Sequence, residues 1–250
     1  MADTKEKMKI IKANVWELIK TSFPVSLMYF LVGTILIMIT MQPSTDVNGE
    51  AAGLQWDTSK LIWTIILDVA AVLYTGVILW GAGGSHYEML VTGNMKRTAA
   101  EKYGINYKIT KHKEEQEYRP WKGFAMGALV GLFPLLFGII FGCNQDFIHS
   151  GEANVASGSL VIAGFLLSGW CIIPFYFMNI GGTFVSYFIC CLFAIIPVIA
   201  AGGCYIWGAY ARRNKRLRED TIKEQQEQNQ QKQTKVNYGA LPGTKPNKRK

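Results

Sequence analysis

The stretch from residue 123 to residue 211 contains neither Lys nor Arg, and its only acidic residues are Asp146 and Glu152. A hydrocarbon core about 30 Å thick is crossed by a helix of roughly 20 apolar residues. A soluble core helix has no reason to stay apolar on every side over that length. The stretch holds three apolar runs of this kind, at residues 123–143, 158–178 and 183–207. The sequence therefore predicts a multi-pass membrane protein.

Two further apolar runs lie nearer the N-terminus, at residues 23–41 and 61–80. The first is too long for the apolar core of a signal peptide, and no small-residue cleavage site follows it, so we interpret it as a retained anchor. Residues 1–22 combine a three-to-four-residue apolar period with lysines, which is typical of an amphipathic helix lying in the membrane interface. The alternative for residues 1–22 is a solvated helix preceding the first span.

Of the 26 Lys and Arg residues, 25 fall into three segments: 5 up to Lys20, 8 between residues 81 and 122, and 12 from Arg212 onward. Lys60 is the exception. Lys and Arg concentrate on the cytoplasmic side of membrane proteins. We therefore expect both termini and the central segment to be cytoplasmic. The polar segments 42–59 and 144–157 carry no basic residue, and we expect them outside.

This orientation limits the number of spans, because two full crossings between residues 158 and 207 would place the basic tail outside. We therefore predict an all-α polytopic membrane helix bundle with four transmembrane helices and one re-entrant or interfacial apolar segment at 158–178. Pro174 and the glycines at 164, 169, 181 and 182 would permit a broken helix there, provided that protein or water covers the irregular backbone. The alternative is a bundle of five plain spans.

The expected domain organisation has three parts. Residues 1–22 form the N-terminal interfacial helix, and residues 23–210 form the membrane domain with a cytoplasmic loop at 81–122. Residues 211–250 form a basic tail that we expect to be disordered, because its Gln, Lys, Asn, Pro and Gly cannot bury enough apolar surface to fold alone.

Asp68 is the sharpest candidate for a functional residue, since it lies inside the apolar run 61–80. An ionised carboxylate is costly at membrane depth, so an intramembrane acid suggests a proton relay or a cation site. The alternative is a hydrogen-bonded Asp that joins helices, with partners expected among Thr64, Tyr74 and Asn179.

Two other groups of residues stand out. Gly123, Gly127 and Gly131 recur every four residues, and this small-residue face permits close helix–helix packing within the chain or with another subunit. A basic cluster follows the last apolar run, where it either stops translocation or binds anionic lipid head groups. No aromatic residue interleaves with the cluster, so we do not expect nucleic-acid binding. The cluster consists of Arg212, Arg213, Lys215, Arg216 and Arg218.

No catalytic or metal-binding set emerges from the sequence. Four of the five cysteines lie inside apolar runs, no CxxC occurs, and the three histidines are far apart. Residues 114–119, Glu-Glu-Gln-Glu-Tyr-Arg, resemble the first motif of membrane CAAX-type proteases. Those enzymes need carboxylates and histidines that converge on a metal-activated water inside the bilayer, whereas these acids lie in a polar loop. We therefore expect no metal, no cofactor and no enzymatic activity.

The run at residues 195–208, followed by Arg212 and Arg213, resembles the last span of small bacterial multi-pass proteins. The resemblance implies a bacterial cell membrane and a cytoplasmic C-terminus, and it implies no activity. Two functional hypotheses follow from the residues themselves. The first, which the sequence favours, is a non-enzymatic subunit or accessory component of a membrane complex. The second is a small transporter or channel component that uses Asp68.

Overall fold

A computed structural model of the chain describes residues 2–40, 58–92, 118–150, 155–180 and 183–237. The expected outer polar segment at 42–57 and most of the expected cytoplasmic loop, at 93–117, lie outside the described residues. Within the described part the protein is a helix bundle with one two-stranded hairpin, and the predicted fold class, an all-α polytopic membrane bundle, is confirmed.

The elements of the described residues are, in order, α1 (Ala2–Thr40), α2 (Thr58–Thr92), α3 (Pro120–Cys143), α4 (Gln145–Ser150), α5 (Val155–Phe177), β1 (Asn179–Ile180), β2 (Thr183–Phe184), α6 (Ile189–Phe193) and α7 (Ile195–Asn237). β1 and β2 pair antiparallel. Five helical stretches of the described residues are long and apolar enough to cross a membrane: Val15–Thr40, Thr58–Val91, Pro120–Cys143, Gly158–Phe177 and Ile189–Lys232.

Helix α1 is continuous from Ala2 to Thr40, so no break separates the predicted interfacial helix from the first span. Pro24 lies inside it and withholds one backbone N–H from the helix. Hydroxyl groups next to the proline bond to carbonyls of the preceding turn: Thr21 Oγ1 donates to Glu17 O at 2.9 Å, and Ser22 Oγ to Ile19 O at 3.2 Å.

Contacts at both ends of the bundle fix the direction of the first three helices. Lys60 Nζ donates to Thr40 O at 3.5 Å, so α2 begins where α1 ends. At the other end Glu17 of α1 contacts His86 near the end of α2 and Lys122 at the start of α3. Consecutive helices among these three therefore run in opposite directions. We call the two ends of the bundle the Glu17 end and the Thr40 end.

The last crossing packs antiparallel to α3, from Phe188 to Tyr205. A Cβ atom placed on Gly142 of α3 would meet Phe188, and a Cβ atom placed on Gly123 would meet Tyr205. Helix α6 and the first turns of α7 lie between these two contacts. The chain therefore returns to the Glu17 end before the basic cluster. Pro197, close to the start of α7, is buried on this interface.

Helix α5 folds back on itself and does not cross the bundle. The rings of Phe165 and Tyr176 lie 5.2 Å apart, although eleven residues of straight helix would separate them by about 16.5 Å. Ser168 has the non-helical angles φ −133° and ψ 15°, and Gly169 beside it packs on Gly33 of α1. Both arms open toward the Thr40 end, where Tyr176 stacks on His149. This geometry favours four spans and one re-entrant segment, one of the two arrangements that the five apolar stretches fit.

The turn of this re-entrant hairpin lies at Ser168–Gly169. Gly169 is one of the five residues that the sequence offered for a break. Of the other four, Gly181 and Gly182 lie outside the described residues, and neither of the remaining two is where the chain turns. The reason is a tertiary contact, because two glycines allow the backbones of α1 and α5 to meet at Gly33 and Gly169. Pro174 lies on the returning arm, inside a segment that remains helical.

Residues 210–250 form a unit of their own, and helix α7 continues in it to Asn237. The expectation of disorder from residue 211 onward is therefore wrong for the segment up to Asn237. Residues 210–237 contain no Gly and no Pro, and Glu, Gln, Lys and Arg are good helix formers. Lys215 and Glu219 form an i,i+4 ion pair at 3.8 Å, which adds a few tenths of a kcal/mol.

The glycine face of α3 leads to a prediction on stability. A Cβ on Gly127 would lie 2.6 Å from Val198 Cα and 2.7 Å from Pro197 O, so Gly127→Ala should cost about 1–3 kcal/mol through overpacking. A Cβ on Gly203 meets nothing within 4 Å, and Gly203→Ala should be neutral or stabilise by up to about 1 kcal/mol. Thermal unfolding of both variants in detergent measures the difference, and equal midpoints would contradict the close α3–α7 packing.

Candidate functional site

A line of polar side chains runs along the interior face of α2. The buried positions of this helix are spaced four and three residues apart, as expected for one face packed against neighbouring helices. Most transmembrane helices fill such a face with apolar or small residues, but more than half of these positions are polar. In order they are Lys60, Thr64, Ala71, Thr75, Leu79, Gly83 and His86, and the half-buried Asp68 occupies the position between Thr64 and Ala71 on the same face.

Asp68 lies on this face near the middle of the membrane-spanning part of α2. Its Oδ1 atom is buried, and it accepts no hydrogen bond from any described residue. Thr64, one of the partners suggested by the sequence, donates instead to Lys60 O at 2.8 Å. The Asp68 carboxyl is close enough to Tyr29 of α1 and Cys171 of α5 to act on both electrostatically. It therefore faces the bundle interior, beside the returning arm of the re-entrant hairpin.

The turn of the re-entrant hairpin brings a second unpaired polar atom into the same region. Ser168 Oγ is buried, and it has no hydrogen-bond partner among the described residues. Two residues later, the ring of Trp170 lies 4.9 Å from the ring of Tyr29. The Tyr29 hydroxyl in turn accepts a hydrogen bond from Thr75 Oγ1 of α2 at 3.4 Å. The centre of the bundle thus holds polar groups with spare hydrogen-bonding capacity, each of which costs about 1–3 kcal/mol when left unpaired.

A fully connected polar cluster closes the Glu17 end of the bundle. Glu17 Oε2 lies 3.3 Å from Lys122 Nζ, and Glu17 Oε1 lies 3.5 Å from His86 Nε2. His86 Nδ1 lies 2.9 Å from Tyr205 Oη. The Tyr205 ring also stacks on Tyr118, with ring centroids 5.3 Å apart. Because these residues come from α1, α2, α3 and α7, one cluster joins all four spans.

The position of Lys122 explains why this cluster is tightly held. Its side chain is only 1% exposed, although it stands in the first turn of α3. A buried ammonium group needs a nearby carboxylate, and Glu17 supplies it. We call Glu17, His86, Lys122 and Tyr205 the Glu17 cluster.

Aromatic residues gather at the Thr40 end, at the mouth of the re-entrant hairpin. The His149 ring of α4 stacks on both Tyr176 and Tyr187, and His149 Nε2 lies 3.1 Å from Tyr187 Oη. Partial burial lowers the pKa of His149, although Asp146 acts in the opposite direction. Burial raises the pKa of the Tyr187 hydroxyl, so the phenol stays protonated. The imidazole and the phenol are therefore both neutral at physiological pH and form a neutral hydrogen bond.

The structure distributes the other residues highlighted by the sequence. Gly123 and Gly127 pack on α7 of the same chain, against Tyr205 and Val198, and Gly131 packs on Ala194, which joins α6 to α7. The basic cluster at Arg212–Arg218 lies on the helical extension of α7, in the separate C-terminal unit. No group of three or more His, Cys, Asp or Glu residues in the described ranges has the geometry to hold a metal ion.

Reasoning from the sequence missed the Glu17 cluster. The sequence places Glu17 in the predicted interfacial helix and Lys122 in the predicted cytoplasmic loop, and it separates the three histidines widely along the chain. One signal was available, because His86 continues the four-and-three spacing that begins at Lys60 and passes through Asp68. That spacing places His86 on the interior face of α2.

These features define a multi-pass integral membrane protein with a line of polar side chains in an otherwise apolar interior and one re-entrant helical hairpin. No protein-family model, no curated protein and no solved structure matches the chain.

Proposed function

We propose that the protein is a small transporter or channel component that moves protons or a small monovalent cation along the interior face of α2. The observation that carries the proposal is the buried, unpaired Asp68 oxygen beside the turn of the re-entrant hairpin. Intramembrane carboxylates that face a bundle interior typically mark ion pathways or proton relays. Broken helices near the membrane midplane typically form the binding sites of transporters.

The polar line on α2 supplies the remainder of a pathway. Thr75 and the Tyr29 hydroxyl lie between Asp68 and the Glu17 cluster. Asp68 and Thr75 are about 10.5 Å apart along the helix axis, so water molecules would have to bridge the gaps. A single carboxylate matches one positive charge, which favours a proton or a monovalent cation over a divalent ion.

The Glu17 cluster is suited to act as a gate in this proposal. Its ion pair joins α1 to α3, and its His86–Tyr205 hydrogen bond joins α2 to α7. Separation of the four helices at this end requires both contacts to break. The cluster would therefore close the pathway at the Glu17 end until a proton or cation arrives.

The test uses the purified protein in sealed liposomes with a pH-sensitive dye or a cation-sensitive dye inside. An imposed proton or potassium gradient should dissipate faster than in protein-free liposomes. The matched control is the Asp146→Asn protein, in which an exposed acid outside the membrane-spanning helices is neutralised. Gradients that persist equally with and without protein would refute transport by the isolated chain.

The subunit hypothesis is the second candidate, and one observation favours it. Almost every described side chain from residue 213 to residue 232 is exposed on a long helix. A helix that is polar on all sides commonly bridges to another component. The glycine face of α3 gives this hypothesis no support, because α7 of the same chain covers it. Copurification of a stable partner from native membrane would favour the subunit over the transporter.

For orientation we propose a bacterial cell membrane with both termini cytoplasmic and the basic cluster near anionic lipid head groups. Each basic residue near such a surface contributes about 1 kcal/mol. The three basic segments flank helix ends that meet at the Glu17 end, which supports one common side. In intact cells an impermeant maleimide should label an Asn48→Cys protein but neither Lys108→Cys nor Thr221→Cys, all three in a Cys143→Ser background. Labelling of Thr221→Cys from outside would overturn this topology.

A further inference from the structure

The re-entrant hairpin fills only one half of the space beside α1, and a groove remains in the other half. Its turn at Ser168 packs at the level of Gly33 and Tyr29, well short of the Glu17 end. Between the turn and the Glu17 end, a groove of about 480 Å³ lies between α1 and α3, and Leu167, next to the turn, lines it. The groove is thus a consequence of the hairpin that turns back at mid-membrane.

The walls of this groove are apolar and open sideways to the bilayer. On α1 the lining extends from Ile19 to Phe30, and on α3 Leu129 and Phe133 face it. Several side chains that line the groove are exposed although they belong to membrane-spanning helices, among them Phe23, Leu27 and Leu132. A segment exposed at this depth contacts lipid, so the groove is open to the hydrocarbon core.

We propose that the groove binds one acyl chain of an anionic phospholipid from the leaflet at the Glu17 end. The distance from Ile19 to Phe30 is about 16.5 Å along the helix, and one leaflet contributes half of a hydrocarbon core of about 30 Å. A volume of about 480 Å³ lies in the range of specific small-molecule sites. The groove therefore has the length of one leaflet and an apolar lining suited to a single chain.

Positive charge near the groove favours a lipid with an anionic head group. Lys20 is exposed and follows Ile19, which lines the groove at its Glu17 end. Lys12 is exposed two turns earlier on the same helix. A phosphatidylglycerol head group above the groove would therefore meet ammonium groups. The inference does not rest on the transport proposal, because it concerns a different face of α1.

The test measures lipid retention and contact. Protein reconstituted with phosphatidylglycerol that carries a diazirine in one acyl chain is irradiated, and the labelled peptides are mapped. In parallel, the protein is purified in detergent and examined by native mass spectrometry. We expect one phospholipid retained per chain, and labelling of the 19–30 and 129–133 segments that an excess of unlabelled phosphatidylglycerol suppresses.

Two variants and a control give the expected contrast. Ser26→Phe places a ring in the groove and should abolish the retained lipid, whereas Val77→Phe, on a lipid-exposed site of α2 outside the groove, should leave it bound. Lys20→Gln should reduce the preference for phosphatidylglycerol over phosphatidylcholine about fivefold.

Three outcomes would overturn the proposal. They are no retained lipid in the wild-type protein, equal retention by Ser26→Phe and wild type when both are folded, and occupation of the groove by residues 93–117 or a second copy of the chain. If Ser26→Phe does not fold, the competition experiment on the wild-type protein decides alone, because non-suppressible labelling also refutes a specific site.

Discussion

Asp68→Asn should lower proton or cation flux by on the order of 100-fold, while the protein remains folded and inserted. The substitution keeps the shape of the side chain and removes its titration and charge. A positioned proton-transfer group typically contributes 10²–10⁴-fold, and the lower value applies if water partly replaces it. Flux in liposomes, measured beside the Asp146→Asn control, tests this expectation.

Removal of the Asp68 carboxyl should lower the flux but raise the stability of the folded protein. Asp68 Oδ1 has no hydrogen-bond partner among the described residues, so its removal leaves no donor unsatisfied there. Asp68→Leu should therefore raise the unfolding free energy by about 1–3 kcal/mol, the cost of one buried unpaired polar group. If Asp68 only joined helices, Asp68→Leu would destabilise the protein and Asp68→Asn would be silent. Full flux in the Asp68→Asn protein would refute the transport role.

The distribution of basic residues was the sequence feature that favoured four spans over five. Apolar runs alone allow five crossings, and all five stretches meet the length and hydropathy of a span. Only the segregation of Lys and Arg argued that residues 158–178 turn back, and the contact between Phe165 and Tyr176 fits that interpretation. Gly169 was one of five positions that the sequence offered for the turn. The choice among them was not predictable, because it depends on Gly33 of α1, more than 130 residues earlier in the chain.

The sequence predicted the candidate site only where one residue differs sharply in polarity from its neighbours. Asp68 stands out as a charge in an apolar run, and the four-and-three spacing on α2 places Thr75 and His86 on its face. The pairing of Glu17 with Lys122 joins residues 105 positions apart, and no local pattern specifies it. The helical tail was missed for another reason. Its low hydrophobicity suggested disorder, whereas the uninterrupted run of good helix formers favoured a helix.

Glu17→Gln should destabilise the protein by about 3 kcal/mol, because it removes the negative charge beside an ammonium group that is almost completely buried. Lys122→Met should cost less, about 1–2 kcal/mol, since Glu17 keeps some contact with solvent and remains near His86. The double variant Glu17→Gln/Lys122→Met buries neither charge, and its stability should return close to that of the wild type. The coupling energy from thermal or denaturant unfolding should therefore be about 4–5 kcal/mol.

The exposed pair Lys215–Glu219 is the matched control for this cycle. Its N–O distance of 3.8 Å is similar to that of the Glu17–Lys122 pair, but its side chains are 62% and 51% exposed. The corresponding Lys215→Met/Glu219→Gln cycle should give about 0.3–0.5 kcal/mol. Equal coupling energies in the two cycles would show that Lys122 is solvated in the folded protein and would remove the basis for a buried cluster.

The same double variant separates a gate from a purely structural contact. If the ion pair closes the pathway, the Glu17→Gln/Lys122→Met protein should fold normally and leak, because the tie between α1 and α3 at the Glu17 end is lost. Resting flux should then exceed that of the wild type, and addition of Asp68→Asn should abolish the leak, since the pathway still passes through the carboxylate. A leak that persists in the triple variant would place the conducting route away from Asp68, along a different face of the bundle.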